Sequence, residues 1–177
     1  AEGRMLWSGQ ALYVGVTVQD DDVDGWRRDL AKDAPVFRRD GLELLLKPNR
    51  EARECFRIAV SPNGQLYDSR FDRIEGPNAV LGGWLEHVEW ESGVRVVGAV
   101  AGTNSDPSDR DEGYVLELAV PWNTITPEGA SEQTPSSKWS MELSVLDRAR
   151  AWHWASDRVP AGGSERLNRL GMLKLLE

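Results

Sequence analysis

Three aspartates near the start of the chain alternate with other residues, in the segment VQDDDVDGW. Asp20, Asp22, Asp24 and the following Gly25 have the spacing of the first half of an EF-hand calcium loop. The twelfth position of such a loop carries a bidentate acid, but here that position is Ala31. The residues before Asp20 also alternate as a strand, whereas an EF-hand needs a helix there. An EF-hand is therefore excluded.

A loop that leaves a strand can still bind calcium with a less regular geometry. The carboxylates of Asp20, Asp22 and Asp24 are hard oxygen ligands, and backbone carbonyls would complete the shell. The same residues also make an ordinary acidic turn, which needs no metal. The sequence leaves both interpretations open, and it gives no reason to expect an organic cofactor.

Two charged residues interrupt strands that are otherwise apolar. Glu43 lies in GLELLLK and Arg57 lies in CFRIAV. A charge on such a strand is costly to bury unless it has a partner. Either the two residues are partners of each other, or they face solvent, or they bind a polar ligand. In the last case the carboxylate accepts hydrogen bonds and the guanidinium offers a planar fork of donors to adjacent hydroxyls.

The chain contains eight tryptophans in 177 residues, and rings of this size usually line a core or a binding face. Trp122, which follows Pro121 at a strand end, and Trp139, in an alternating segment, are predicted to be structural. Trp152 and Trp154 are two positions apart, so in a strand both lie on the same side. That side is either the core or a cleft.

Alternation with a period of two dominates the apolar segments and predicts strands. ALYVGVTVQ, GLELLLK, CFRIAV, GYVLELAVPW, WSMELSVLD and LGMLKLL all show it, and LEHVEWESGVRVVGAVAG predicts a hairpin that turns at Ser92 and Gly93. Helical signals are confined to residues 26–32 and to PWNTI. We therefore predict an all-β fold, an antiparallel, jelly-roll-like sandwich of two sheets with one or two short helical turns.

Length and charge restrict the class of protein further. A chain of 177 residues predicts one domain over residues 1–177, either without its opening strand or as part of a larger protein. The net charge of −8 is spread along the chain, which argues against a nucleic-acid partner. No apolar run reaches the roughly 20 residues of a membrane helix, so insertion into a membrane is not expected. The lone Cys55 cannot form an internal disulfide and is predicted to be a small buried residue.

Three segments, taken together and in order, resemble the family 9 carbohydrate-binding modules and their broader, DOMON-related relatives. LYVGVTVQDDDV is a strand ending in acids, RRDGLELLLKP is close to the family's D-x-x-E-h-h-h strand, and YVLELAVPW is close to its E-h-x-h-P-W strand end. The terminal LGMLKLL is similar to the closing F-G-x-L strand, with Leu170 where phenylalanine is usual. The resemblance covers nearly the whole chain.

This resemblance implies a non-catalytic sandwich that binds a poly- or oligosaccharide in an exposed aromatic cleft and carries structural calcium. It also implies an extracytoplasmic protein, with further domains of a parent protein as possible partners. Matched residue by residue, Ala59 stands where an amide side chain is expected, which removes one polar contact. The remaining positions give the predicted carbohydrate site, which consists of Phe37 and either Trp152 or Trp154 as clamping rings, with Glu43 and Arg57 as polar contacts.

Three other classes of function are weighed against this one. Carboxylate pairs are too plentiful among 29 acids to indicate a glycosidase, and no nucleophile elbow, phosphate loop or zinc-type spacing is present. A sandwich that serves only as a spacer or contacts a protein is a second alternative, because function belongs to the site and not to the scaffold. Haem binding, known in distant relatives of this sandwich, would need axial ligands from His87, His153, Met5, Met141 or Met172.

Overall fold

Alternating apolar strands build two antiparallel sheets whose inner faces enclose a common core. The computed structural model describes residues 1–25, 30–49, 51–74, 83–126, 138–148, 150–153 and 170–174. The four-stranded sheet has the order β1-β2-β8-β7, from β1 (Glu2–Trp7), β2 (Ala11–Val18), β7 (Arg95–Ala101) and β8 (Gly113–Pro121). The seven-stranded sheet contains β3 (Gly41–Lys47), β4 (Glu54–Val60), β5 (Leu66–Arg73), β6 (Trp84–His87), β9 (Lys138–Asp147), β10 (Arg150–His153) and β11 (Gly171–Lys174).

Strand order in the larger sheet is β10-β9-β3-β4-β5-β6, and β11 also pairs with β9. The last part of β9 pairs with β10 and its first part with β11, so both short strands share one edge. Within the described residues, helix is limited to a 3-10 turn at Val36–Arg38 and one α-turn, α1, at Trp122–Ile125. The predicted all-β sandwich of two sheets is confirmed, as is the turn in PWNTI.

The core lies between the sheets and follows the predicted period of two. On β2, Leu12, Val14, Val16 and Val18 are buried, and on β3 the residues Leu42, Leu44 and Leu46 face them. Trp122 and Trp139 pack in this core with ring centroids 5.2 Å apart, which confirms their structural role. Cys55 is fully buried, as predicted.

The hairpin predicted at Ser92 and Gly93 is wrong. β6 belongs to the seven-stranded sheet and β7 to the four-stranded one, so the intervening segment crosses from one sheet to the other. The crossing is held by the buried carboxylate of Asp68, which accepts the Ser92 backbone N–H at 2.6 Å. Alternation along each strand is the same in both arrangements, so the pattern could not distinguish them.

Two glycines begin strands where the backbone has a positive φ. Gly41 opens β3 with φ 152° and Gly113 opens β8 with φ 125°. A Cβ at Gly113 would collide with the Val18 carbonyl, and one at Gly41 would collide with the Val60 carbonyl. Glycine is required at both places because the neighbouring strand approaches the bare Cα.

No helix in the part of the chain that the structure describes is long and apolar enough to cross a membrane.

Candidate functional site

The face of the seven-stranded sheet that points away from the core carries polar residues in place of apolar ones. In the register, Glu43 on β3 pairs with Ala59 on β4, which pairs with Tyr67 on β5. Arg57 lies two positions from Ala59 and therefore on the same face. We call Phe37, Glu43, Arg57, Tyr67 and Glu86 the outer-face cluster.

Glu43 and Arg57 bind each other in the middle of this face. The Arg57 Nε donates to Glu43 Oε1 at 2.8 Å, and Nη2 lies 2.6 Å from the same oxygen. The side chains are 11% exposed for Arg57 and 2% for Glu43. The carboxylate therefore fixes the guanidinium plane, and Glu43 lies beneath the surface where a ligand would bind. The interpretation that the two residues are partners is confirmed.

Aromatic rings cover the guanidinium of Arg57. Its Cζ lies 3.8 Å from the ring centroid of Phe37 and 5.5 Å from that of Tyr67. The rings of Phe37 and Tyr67 meet edge to face, with centroids 4.9 Å apart. Phe37 is half-buried on the 3-10 turn, so part of its ring faces solvent. The cation thus gains attraction from the ring quadrupoles and loses rotational freedom.

Glu86 on β6 completes the cluster. Its Oε1 accepts hydrogen bonds from the Tyr67 hydroxyl and the Ser69 hydroxyl, each at 2.8 Å, and lies 3.7 Å from Arg57 Nη1. Burial, followed by the hydrogen bond to Glu86, raises the pKa of Tyr67 to about 12, so this hydroxyl remains a donor. The Glu86 side chain is 33% exposed, which makes it the most accessible acid of the cluster.

Sequence reasoning missed Tyr67 and Glu86. Glu86 was assigned to a hairpin with the segment that follows, and nothing in WLEH indicates that β6 joins β5 instead. The signal that could have found Tyr67 is the period of two in LYDSRFDR, where Tyr67, Ser69 and Phe71 share one face.

Ala59 has a packing explanation. It is fully buried in a small cluster with Val36 and Tyr67, against which Phe37 packs. The 3-10 turn therefore lies directly over Ala59, and a longer amide side chain would need the space that Val36 occupies. Alanine at position 59, where the family pattern has an amide side chain, therefore leaves room for the turn that carries Phe37.

The structure does not bring Trp152 to the outer-face cluster. Trp152 pairs with Val145, which packs against the core, whereas Glu43 pairs with Ser144. Cross-strand partners share a face and neighbours along a strand alternate, so Trp152 and Glu43 lie on opposite faces of the sheet. Trp154 lies outside the described residues. Of the five residues predicted for the carbohydrate site, the structure brings Phe37, Glu43 and Arg57 into contact.

Aspartates of the acidic loop bind arginines and backbone. Asp22 Oδ2 lies 2.9 Å from Arg148 Nη2, and Asp24 binds Arg39 Nη1 at 2.5 Å and Arg148 Nε at 3.1 Å. Asp20 Oδ1 accepts the Asp22 backbone N–H at 3.1 Å. In the described part of the chain no group of three metal-binding side chains converges. In this arrangement the carboxylates of Asp22 and Asp24 pair with guanidinium groups, and that of Asp20 binds backbone. The calcium site stays a prediction.

Buried carboxylates anchor the same loop to the sandwich. Asp40 accepts the backbone N–H of Asp24 at 2.6 Å and that of Arg148 at 3.0 Å. Asp111 accepts the backbone N–H groups of Val23 and Thr103, each at 2.7 Å. Burial raises the pKa of Asp40 to about 6, although its two backbone hydrogen bonds act in the opposite direction. The acids of this region therefore hold backbone in place.

His87 and Met141, two of the residues considered as haem ligands, lie far apart. His87 on β6 lies between Asp72 and Glu89, with ring nitrogens 3.1 and 3.0 Å from their carboxylates. Met141 on β9 is buried in the core. Four inter-strand spacings separate β6 from β9, which is roughly 19 Å. These two side chains cannot ligate one iron atom.

The chain is thus a β-sandwich of two antiparallel sheets in which an arginine, two acids and aromatic rings are gathered on one sheet face. The family model for the carbohydrate family 9 binding domain-like proteins matches residues 1–153. The chain belongs to this family, and the resemblance seen in its strand motifs is confirmed.

A solved structure shares the fold. It is the crystal structure of a "putative carbohydrate-binding protein" from Bacteroides uniformis ATCC 8492, with a TM-score of 0.65 and 12% sequence identity. The alignment covers 97% of this chain and 76% of that one. Because the identity is low, the likeness extends to the fold alone. No curated protein matches the sequence at a significant level.

Proposed function

We propose that this chain is a non-catalytic carbohydrate-binding module that binds a poly- or oligosaccharide on the outer-face cluster. The observation that carries the proposal is the position of Arg57, which Glu43 orients and Phe37 covers at 3.8 Å. A guanidinium held in one plane, an aromatic ring and a partly exposed acid are the groups that bind a sugar. The C–H face of the sugar stacks on the ring, and the sugar hydroxyls bind the guanidinium and the carboxylate.

The charged residues of the cluster have different roles in this proposal. Glu43 is too deeply buried to reach a ligand, so it acts as a positioning residue for Arg57. Glu86 accepts hydrogen bonds from sugar hydroxyls, because it is a third exposed and its orientation is already fixed by Tyr67 and Ser69. Holding these groups in advance lowers the ordering cost when the sugar binds.

A second clamping ring is part of the proposal. The sequence offers Trp152 or Trp154 for it, and because Trp152 lies on the opposite face of the sheet, Trp154 is the position to test by substitution. Loss of sugar affinity in Trp154→Ala, measured by titration calorimetry, is the expected result. Unchanged affinity in that variant would leave Phe37 as the ring of the site.

The proposed location is extracytoplasmic, where polymeric glycans occur, with other domains of a parent protein as neighbours. The proposal of a non-catalytic role rests on the cluster itself. Its arginine and its buried acid are bound to each other in a 2.6 Å ion pair, which suits recognition and does not leave an acid and a base poised around a bond.

A glycan array followed by titration calorimetry tests the proposal. The informative variant is Glu86→Gln, which keeps the shape and hydrogen bonds of the side chain while removing its charge. We expect affinity for the bound glycan to fall about tenfold or more, because hydrogen bonds to charged groups contribute roughly 1.5–3 kcal/mol. Phe37→Ala should weaken binding as well.

Arg95→Ala is the matched control. Arg95 is exposed at the edge of the four-stranded sheet, so its removal takes away a charge without touching the cluster. If no glycan binds the native chain, the sandwich is a spacer or a protein-contacting module. If a glycan binds equally well to Glu86→Gln and Phe37→Ala, the sugar binds elsewhere and the assignment of the cluster is wrong.

A further inference from the structure

A cavity of about 420 Å³ opens on the other face of the seven-stranded sheet, away from the outer-face cluster. It lies where the end of β2 and the loop before β8 meet the end of β9 and β10. Its volume is within the range of small-ligand sites, about 300–1,000 Å³. The sugar site proposed above uses none of its residues.

Trp152 forms one wall of this cavity. Its side chain is 56% exposed, in contrast with Trp122 and Trp139, which are 1% and 2% exposed. In the part of the chain that the structure describes, no other ring stacks on it. A large flat ring left open on a concave surface is a platform for an apolar face or for a cation.

Charge in the cavity is strongly unbalanced. Among the described residues that line it, five carry carboxylates and Arg110 carries the guanidinium. Asp111 is occupied by two backbone N–H groups, and Arg110 lies 3.5 Å from Asp21. The remaining acids are Asp20, Glu112 and Asp147.

These remaining acids have no cationic partner in the described structure. Asp20 accepts one backbone N–H and has no ion pair there, and Asp147 has neither. Asp20 and Asp147 line the same cavity, so a positive charge placed between them would be attracted by both.

We propose that this cavity is a second ligand site, distinct from the outer-face cluster, which binds a sugar unit bearing a protonated amino group. The C–H face of the ring stacks on Trp152, and the ammonium is held by Asp147 and Asp20. A neutral sugar would leave both carboxylates without a counter-charge, and an acidic sugar would be repelled. A metal ion would satisfy the carboxylates without using the exposed ring.

The test compares two oligosaccharides of the same length that differ in charge. Titration calorimetry and tryptophan fluorescence are measured with a β-1,4-linked glucosamine tetramer and with its fully N-acetylated form. The buffer has low salt, EGTA and a pH of about 6.5, at which a large share of the amines is protonated. We expect the amino form to bind at least roughly tenfold more tightly, since charge-assisted contacts contribute about 1.5–3 kcal/mol.

Variants locate the site. Trp152→Ala and Asp147→Asn should each weaken binding of the amino tetramer roughly tenfold, and both change exposed or half-exposed side chains, so the fold should persist. Trp7→Ala is the matched control, because Trp7 is also exposed, at 37%, but lies far from the cavity. Trp7 pairs with Leu12 at one end of β2, whereas Val18, which lines the cavity, lies at the other end, roughly 20 Å away.

Several results would overturn the proposal. Equal affinity for the N-acetylated tetramer would show that charge is not recognised, and tetralysine binding as tightly through Trp152 would make this a basic-peptide site. Absence of binding, or binding that Trp152→Ala leaves intact, would also end it. Affinity for the glycan that binds the outer-face cluster separates the two sites, since we expect Trp152→Ala and Asp147→Asn to leave that affinity unchanged.

Discussion

Replacing Arg57 by methionine removes the cation that Glu43 binds, while keeping a side chain of similar length against Phe37. The pair is screened from water, with Arg57 11% and Glu43 2% exposed at the side chain. A buried carboxylate that loses its guanidinium keeps its desolvation cost and loses the attraction that offset it. The substitution should therefore destabilise the fold as well as the proposed sugar site.

The expected magnitude follows from this burial. Removing one partner of a buried ion pair costs about 3–5 kcal/mol, and loss of the contact with Phe37 lies within that range. In a chain of 177 residues each kcal/mol lowers the melting temperature by about 2–4 °C. The variant should therefore melt roughly 6–20 °C below the native chain.

A double-mutant cycle assigns this cost to the pair. Urea unfolding is measured for the native chain, Arg57→Met, Glu43→Leu and the double variant. Replacing a buried pair by two apolar residues is often close to neutral, so the double variant should lie within about 1.5 kcal/mol of the native chain.

Two outcomes would refute this reasoning. If Arg57→Met costs less than about 1 kcal/mol, the carboxylate of Glu43 does not depend on the guanidinium. If the two single costs simply add in the double variant, the residues act independently and the ion pair contributes nothing.

Three further predictions concern other parts of the sandwich. Burial raises the pKa of Asp40 to about 6, so the stability it contributes is present below its unfolded pKa of about 4 and lost as the pH rises through 6. Asp40→Asn should flatten the pH dependence of the urea-unfolding free energy by up to roughly 3 kcal/mol between those limits, and equal slopes would contradict this. Gly113→Ala should cost at least about 2 kcal/mol in the same assay, because its Cβ meets the Val18 carbonyl at a positive φ, and a cost near zero would show that the strands can separate there. Because arginines already pair with Asp22 and Asp24 of the acidic loop, EGTA should leave the melting temperature unchanged, whereas a calcium-dependent rise that Asp20→Asn abolishes would establish the calcium site.

The fold could be predicted from the sequence because period-two alternation states which side of each strand is buried. Leu12 to Val18 follow that rule, with every second residue buried, whereas every residue of β3 from Gly41 to Lys47 is buried. What alternation does not contain is the identity of the neighbouring strand. β6 and β7 were therefore joined into a hairpin, although β6 pairs with β5 and β7 with β8.

Two of the five residues of the outer-face cluster could be identified by the same reasoning. Glu43 and Arg57 were identifiable because a charge on a buried strand needs a partner, and each proved to be the partner of the other. Tyr67 and Glu86 were not, because ordinary polar residues on a strand give no sign of which loop or ring will lie across them. Their position depends on the order β4-β5-β6, which is a property of the assembled sheet.

The two tryptophan positions show why the register matters more than proximity in the sequence. β10 places Trp152 opposite Val145, and a shift of one residue would have placed it opposite Ser144, beside Glu43. With the observed register, the sheet separates a buried, charge-paired cluster from an open cavity in which Asp20 and Asp147 have no cationic partner among the described residues. Because the two proposed sites lie on opposite faces, a variant on one face should not change affinity at the other.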